Sequence, residues 1–168
     1  MLELTVHDGV KNVVLRFEHS LLSLSKWEAR TKRAFLGRGQ KTHQEMIDYY
    51  QDMLIDREVD RNLVYRLPPE DLDALSNYIN DSQTASSVNQ DDGKPQNEVL
   101  TSELIYAWLV LSEIDFHPTE TWHVNRIMML IQIVNVKKQP PKKRPTIDVM
   151  SDWVRRNEEQ KKMLGITG

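Results

Sequence analysis

Residues 100–136, LTSELIYAWLVLSEIDFHPTETWHVNRIMMLIQIVNV, form the most apolar part of a polar chain. Their pattern predicts a helical hairpin core at about 102–135, with one helix at about 102–112 and a second at about 119–135. The two helices are separated at His117-Pro118, because a residue that precedes proline is driven out of the helical conformation.

The ends and faces of these helices can also be predicted. Thr101 is placed to cap the first helix, and Thr119 or Thr121 to cap the second. The second helix is apolar on nearly every side, which is typical of a helix buried in a core or an interface. Asn125 and Arg126 interrupt its apolar run, which is too short for a membrane span of about 20 apolar residues.

The composition narrows the class of protein. The chain has 168 residues, which is enough for one domain with a core that needs no disulfide. Cysteine is absent, so disulfides, thiolate chemistry and cysteine-bound metals are excluded. The net charge of −3 provides no overall field that would attract nucleic acid. The first residues have neither a basic head nor an apolar segment, so we expect synthesis in the cytoplasm without a signal peptide.

The N-terminal residues alternate between apolar and polar side chains, as strands do. Two alternating runs within residues 2–18 surround the turn signal Asp8-Gly9, which predicts a β-hairpin. The second strand could extend through 18–24. Whether the hairpin pairs within its own chain or with a neighbouring chain stays open at this point.

Helices are predicted after this hairpin. Residues 25–28, SKWE, and 42–45, THQE, both have the spacing of a capping box. Helices should therefore run over about 26–36 and about 43–55. The proline pair at 68–69 suits the first turn of a further helix.

The chain is therefore predicted to be mainly α with a small N-terminal β-hairpin, an α+β class. Residues 1–80 contain the hairpin and short helices, and residues 81–97 form a flexible loop or linker that is too polar to be packed. Residues 98–168 form a helical part. It includes a basic, proline-rich connector at 137–145 and a C-terminal helix at about 147–163.

Catalytic signatures are missing from the sequence. Gly37 and Gly39 form the only close glycine pair and are not followed by a phosphate-binding motif, and no nucleophile-elbow serine occurs. His117 and His123 could be metal ligands, but a loop position and a single polar place on an apolar helix favour structural roles. We therefore expect no enzyme activity, no catalytic residues, no metal and no cofactor.

Binding residues are easier to nominate. Tryptophan and arginine are enriched at the energetic centres of protein interfaces, although core packing is the alternative for each tryptophan. The candidate partner-binding residues are Trp27, Trp108, Trp122, Arg126, Met129 and Trp153. The candidate contacts for nucleic acid or an acidic partner are Lys137, Lys138, Lys142, Lys143 and Arg144. No stacking aromatics lie between these basic residues, which argues against nucleic acid.

Four motifs then occur in a fixed order. They are a leucine- and serine-rich segment with tryptophan at 19–36, a helix start leading to Ile-Tyr-x-Trp at 101–108, Trp-His-x-Asn-Arg at 122–126, and Lys-x-Gln-Pro-Pro-Lys-Lys at 137–143. With this order the chain resembles a family of small tailed-bacteriophage proteins, the tail assembly chaperones, which are encoded next to the tape measure protein.

The resemblance implies a non-enzymatic protein of virion morphogenesis. It would bind other phage tail proteins, above all the tape measure protein, in the host cytoplasm during assembly. Whether the chain also forms a homo-oligomer stays open at this point. One alternative is a structural virion component of the tail or neck, at the head–tail connection. Another is a small nucleic-acid-binding regulator that uses 137–144.

Overall fold

The computed structural model describes residues 1–86 and 99–138 and has the predicted class, mainly α with a two-stranded antiparallel sheet at the N-terminus. The elements in chain order are β1 (Leu2–His7), β2 (Asn12–Phe17), α1 (Leu21–Thr31), α2 (His43–Met53), a 3₁₀ helix (Arg61–Arg66), α3 (Pro69–Asn80), α4 (Ser102–Leu111), α5 (Phe116–Thr119) and α6 (Val124–Lys138).

The predicted β-hairpin forms, and its two strands pair with each other within the chain. β1 and β2 pair in antiparallel register, with Leu2 opposite Phe17 at the open end. At the turn, the carboxylate of Asp8 accepts hydrogen bonds from the backbone nitrogens of Val10 at 2.7 Å and Lys11 at 2.8 Å. A short polar side chain that binds the backbone next to it is a common means of closing a turn.

A third segment of the same chain pairs with the end of β2. The backbone nitrogen of Glu18 donates to the carbonyl of Met53 at 2.9 Å, and that of Ile55 donates to the carbonyl of Arg16 at 3.0 Å. The residues that follow α2 therefore occupy part of the outer edge of the hairpin. The predicted extension of the second strand through 18–24 is wrong, because α1 begins within that range.

The first helix differs from its prediction at both ends. α1 is capped by Ser20, whose hydroxyl accepts from the nitrogen of Ser23 at 3.1 Å, while the Ser23 hydroxyl accepts from the nitrogen of Ser20 at 3.0 Å. The helix predicted at about 26–36 therefore forms, but at 21–31, and its predicted capping box at 25–28 is wrong because Glu28 has buried contacts instead. The helix ends early because Lys32 adopts the left-handed conformation, with φ of 57°.

The next two helices follow the local signals. The Thr42 hydroxyl accepts from the nitrogen of Glu45 at 3.2 Å, and the Glu45 carboxylate accepts from the nitrogen of Thr42 at 2.8 Å. α3 begins at Pro69, as the proline pair predicts. The residues between α2 and α3, for which no helix or strand was predicted, contain the 3₁₀ helix.

The first helix of the predicted C-terminal pair is confirmed. α4 has Thr101 as its N-cap, and the Thr101 hydroxyl accepts from the nitrogen of Leu104 at 3.3 Å. Its helical neighbours include α1 and the short α5.

The second helix begins later than predicted. The carboxylate of Asp115 accepts from the nitrogen of His117 at 3.0 Å, and the Thr119 hydroxyl donates to the carbonyl of Asp115 at 2.7 Å. These bonds close the separate turn α5, so the predicted start at residue 119 and the predicted threonine caps are wrong. α6 instead begins after His123, whose Nδ1 accepts from the nitrogen of Asn125 at 3.2 Å.

The core lies mainly in the first half of the chain, where α1 packs against α2 and also contacts α4. The largest fully buried side chains in this half include Trp27, Tyr49, Phe17, Leu15, Leu21, Leu24, Met53 and Leu75. α6 contributes a narrower buried stripe of Val124, Ile127 and Ile131. The apolar stretch 100–136 therefore joins a core that β2, α1 and α2 build.

Residues Met1–Val136 form one compact unit, and Lys137–Gly168 form a second, of which only Lys137 and Lys138 are described. The predicted proline-rich connector beyond them and the predicted C-terminal helix lie outside the described residues. So does most of the predicted linker, because residues 87–98 are not described. Within residues 1–86 and 99–138, no helix is both long enough and apolar enough to cross a membrane.

Candidate interaction surfaces

The four tryptophans have different environments. Trp27 is 1% exposed, and its indole nitrogen donates to the carbonyl of Glu45 at 3.2 Å. Its ring fills the core between α1 and α2, which favours the core-packing alternative for Trp27 over contact with a partner. Trp108 and Trp122 are half-buried. Trp153 lies outside the described residues.

The structure brings Trp122 and Arg126 together. The guanidinium of Arg126 lies over the Trp122 ring, 4.7 Å from its centroid, in a cation–π contact. Arg126 is exposed, and Met129 lies half-buried on the same side of α6. A small cavity of about 180 Å³ adjoins this pair and is also lined by Tyr78 and His123. Trp108 belongs to a different helix, α4.

The basic candidates are only partly described. Lys137 and Lys138 are exposed at the end of α6. Lys142, Lys143 and Arg144 lie outside the described residues. The contact of these residues with nucleic acid or an acidic partner therefore stays a prediction.

α4 has an apolar side that faces outward. Its buried residues are Ser102, Ile105 and Leu109. On the opposite side Val110 is 62% exposed and Leu111 is 75% exposed, and Ala107 is also exposed. We call Ala107, Val110 and Leu111, flanked by Leu104 and Trp108, the outer α4 face.

The outer α4 face was missed by the sequence reasoning, although a signal for it exists. Between Leu104 and Leu111 the only side chains with a polar group are those of Tyr106 and Trp108, and none is charged. A helix that is apolar all round but packs on one side must expose apolar residues on the other. Isolated exposed apolar residues are ordinary, but a contiguous group of them is a mark of interaction surfaces.

A second surface is a groove beside α1. Its volume is about 710 Å³, and its walls come from α1, the residues after α2 and the start of the 3₁₀ helix. We call it the α1 groove. Residues that line it include Leu22, Lys26, Leu54, Ile55, Arg57 and Arg61.

The carboxylates of the α1 groove are already paired. Asp52 has a side chain 4% exposed and binds Arg30 at 2.7 Å, with Arg61 at 4.0 Å on its other oxygen. Its carboxylate raises the pKa of the Arg30 guanidinium through this hydrogen bond. Glu18 accepts from the Tyr78 hydroxyl at 2.8 Å and pairs with the amino group of Met1 at 2.8 Å.

A buried polar cluster lies under these surfaces. His19 shares a hydrogen bond with the Tyr49 hydroxyl, which is 3.3 Å from the Ser23 hydroxyl. The His19 and His123 rings are 5.0 Å apart. Burial lowers the pKa of His19 to about 3 and raises the pKa of Tyr49, so both side chains stay neutral near neutral pH.

This cluster joins elements and does not reach solvent. His19 is 1% exposed and His123 is 5% exposed. Nε2 of His123 lies 3.0 Å from the carbonyl of Tyr78, which fixes the start of α6 to the end of α3. Asn125 adds to this joint by donating through Nδ2 to the carbonyls of Ile79 at 3.1 Å and Asp81 at 2.7 Å.

The other histidine of the C-terminal pair has a simple local partner. Nδ1 of His117 lies 3.4 Å from the Glu120 carboxylate on the exposed surface. Within residues 1–86 and 99–138, no group of three or more histidine, aspartate or glutamate side chains is placed to hold a metal ion.

The fold and surfaces together define a small, mainly helical α+β unit with two surfaces that carry exposed apolar side chains. Comparisons of the chain with protein-family models, with curated proteins and with solved structures found no match.

Proposed function

We propose that this chain is a non-enzymatic phage tail assembly protein, a chaperone that binds the tape measure protein during tail morphogenesis. The proposal rests on the resemblance of its four ordered motifs to the tail assembly chaperones. The structural observation that supports it most is the outer α4 face, where Val110 and Leu111 are 62% and 75% exposed.

The geometry suits a helical client. An amphipathic helix presents apolar side chains three and four residues apart, and it binds where a partner offers a matching apolar surface. The outer α4 face has this character, with Leu104, Ala107, Val110 and Leu111 at successive helical spacings. Trp108 lies at its border and is the candidate tryptophan best placed to take part in the contact.

The first experiment is co-expression with the longest coiled-coil protein encoded in the same genome. We expect the two proteins to co-purify, and we expect Val110→Glu/Leu111→Glu to abolish co-purification while the helix content stays unchanged in circular dichroism. Val10→Glu is the control, because Val10 is 89% exposed and lies far from α4 in sequence, in the turn between β1 and β2. A wild-type chain that never co-purifies with the coiled-coil protein would contradict the proposal.

Particle analysis separates the chaperone from a structural virion component of the tail or neck. A chaperone leaves when the tail tube assembles, so mass spectrometry of purified particles should find the chain far below one copy per tail. A stoichiometric amount in washed particles would favour the structural role.

A further inference from the structure

We propose that the α1 groove is a second, separate docking site, and that it binds an acidic amphipathic segment of a partner protein. In this proposal apolar side chains of the segment contact Leu22 and Ile55, and its carboxylates pair with Lys26 and Arg57. The site shares no residue with the outer α4 face, and the proposal does not depend on the identity of the client.

The apolar part of the groove is accessible. Leu22 is 38% exposed and Ile55 is 47% exposed. Beneath them Met53 and Leu54 are buried, because this segment pairs with the end of β2 and packs on α1. The floor is therefore held by backbone hydrogen bonds, and its exposed side chains are available without any opening of the core.

The charges around this floor are not balanced. Lys26 and Arg57 line the groove and form no ion pair within residues 1–86 and 99–138, whereas Asp52 and Glu18 are already engaged by cations or by a hydroxyl. Arg61 reaches Asp52 only at 4.0 Å, beside the closer Arg30. A ligand that brings carboxylates would complement this rim, and complementary charge at the edge of an interface favours association and sets the partner.

A protein segment fits the groove better than a nucleic acid does. Among the described residues, none that lines the groove is aromatic. Single-stranded nucleic acids are usually held by stacking of bases on aromatic rings in addition to phosphate contacts. An apolar floor with a basic rim instead matches a segment in which leucine, isoleucine or methionine alternates with aspartate or glutamate.

The test is selection of a random 16-residue peptide library, displayed on yeast, against the wild-type chain. We expect enrichment of peptides that combine aliphatic residues with neighbouring aspartate or glutamate. Selected peptides are then synthesised, and their dissociation constants are measured by fluorescence polarisation.

Matched variants locate the binding. Lys26→Glu/Arg57→Glu should weaken the selected peptides by roughly tenfold or more, because attractive pairs become repulsive ones. Leu22→Asp should weaken them as well, with circular dichroism used to verify the fold. Lys11→Glu/Arg38→Glu applies the same charge change at exposed positions that do not line the groove, and Val110→Glu/Leu111→Glu alters only the outer α4 face. Neither should change the affinity.

Several results would overturn the proposal. They are no enrichment, enrichment of peptides without acidic residues, and equal binding to wild-type and Lys26→Glu/Arg57→Glu chains. Binding of a single-stranded oligonucleotide that depends on Lys26 and Arg57, in the absence of peptide binding, would assign the groove to nucleic acid instead.

Discussion

The carboxylate of Glu28 in α1 holds the first residue of α4. Ser102 donates to it through its backbone nitrogen at 2.7 Å and through its hydroxyl at 2.6 Å, and the backbone nitrogen of Phe35 donates at 2.8 Å. Glu28 is 6% exposed and Ser102 is fully buried. One side chain thus fixes α4 against α1 across 74 positions of sequence.

Glu28→Ala should lower the free energy of unfolding by about 3 kcal/mol, because three donors would lose a charged acceptor in a buried place. Glu28→Gln should cost less but still destabilise, since its amide nitrogen would face donors. Urea denaturation measures both changes. Glu58→Ala is the control at an exposed glutamate and should stay within about 0.5 kcal/mol of wild type. A Glu28→Ala chain as stable as this control would show that the contact is not formed.

His19 should make the protein sensitive to acid. The unfolded chain binds a proton at His19 below its ordinary pKa of 6.5, whereas burial keeps the pKa near 3 in the folded chain. The unfolded state therefore binds more protons than the folded state as the pH falls, and His19 removes up to about 1.4 kcal/mol of stability for each pH unit between about 6.5 and about 3.

His19→Asn tests this effect, because its side-chain oxygen can still accept from Tyr49 but does not titrate. Between about pH 6.5 and about pH 4.5 its stability should fall less steeply than that of the wild type. His123 acts in the same direction, since burial lowers its pKa, and it is present in both chains. Parallel pH profiles for the two proteins would contradict a buried, neutral His19.

Truncation of Trp27 should lower the stability of the fold much more than truncation of Trp122. Trp27→Ala should cost about 3–5 kcal/mol of stability, as expected for the loss of a buried aromatic ring. Trp122→Ala should cost less, about 1–2 kcal/mol, because its half-buried ring loses only part of a core contact together with the cation–π contact to Arg126. Equal losses in urea denaturation would contradict the different environments of the two rings.

Asn125 should be more sensitive to a change of charge than to truncation. Its Nδ2 lies between the carbonyls of Ile79 and Asp81, so Asn125→Asp would place a carboxylate against two carbonyl oxygens. We expect Asn125→Asp to destabilise by about 2 kcal/mol and Asn125→Ala by less. Asn77→Asp, at an exposed position of α3, is the matched control in thermal denaturation. An Asn125→Ala chain that is less stable than the Asn125→Asp chain would contradict this geometry.

Elements that depend on neighbouring residues could be predicted from the sequence. The Asp8 turn and the Thr42 and Thr101 caps need only contacts within a few residues, and all three are formed. The start of α1 was not predicted in this way, because the capping-box spacing at 25–28 pointed to Ser25 whereas Ser20 caps the helix. The choice depends on Glu28, whose partner Ser102 is remote in sequence.

The candidate surfaces also depend on contacts between residues that are remote in sequence. Trp122 and Arg126 are four residues apart and were nominated together, but Trp122 precedes α6, so their contact joins the residues before the helix to its first turn. Lys26 and Arg57 come from separate elements and line one groove only after folding. The burial of Trp27 shows a related limit, since a sequence does not distinguish a core tryptophan from one at an interface.

The measurement that tests the central claim most directly is amide hydrogen exchange of the chain with and without the co-expressed coiled-coil protein. We predict slower exchange in α4, at residues 104–111, when the client is present, and no change at the turn around Val10. The client should give no such protection in Val110→Glu/Leu111→Glu. Unchanged exchange in α4 while the client is bound would contradict the account, because binding would then take place elsewhere.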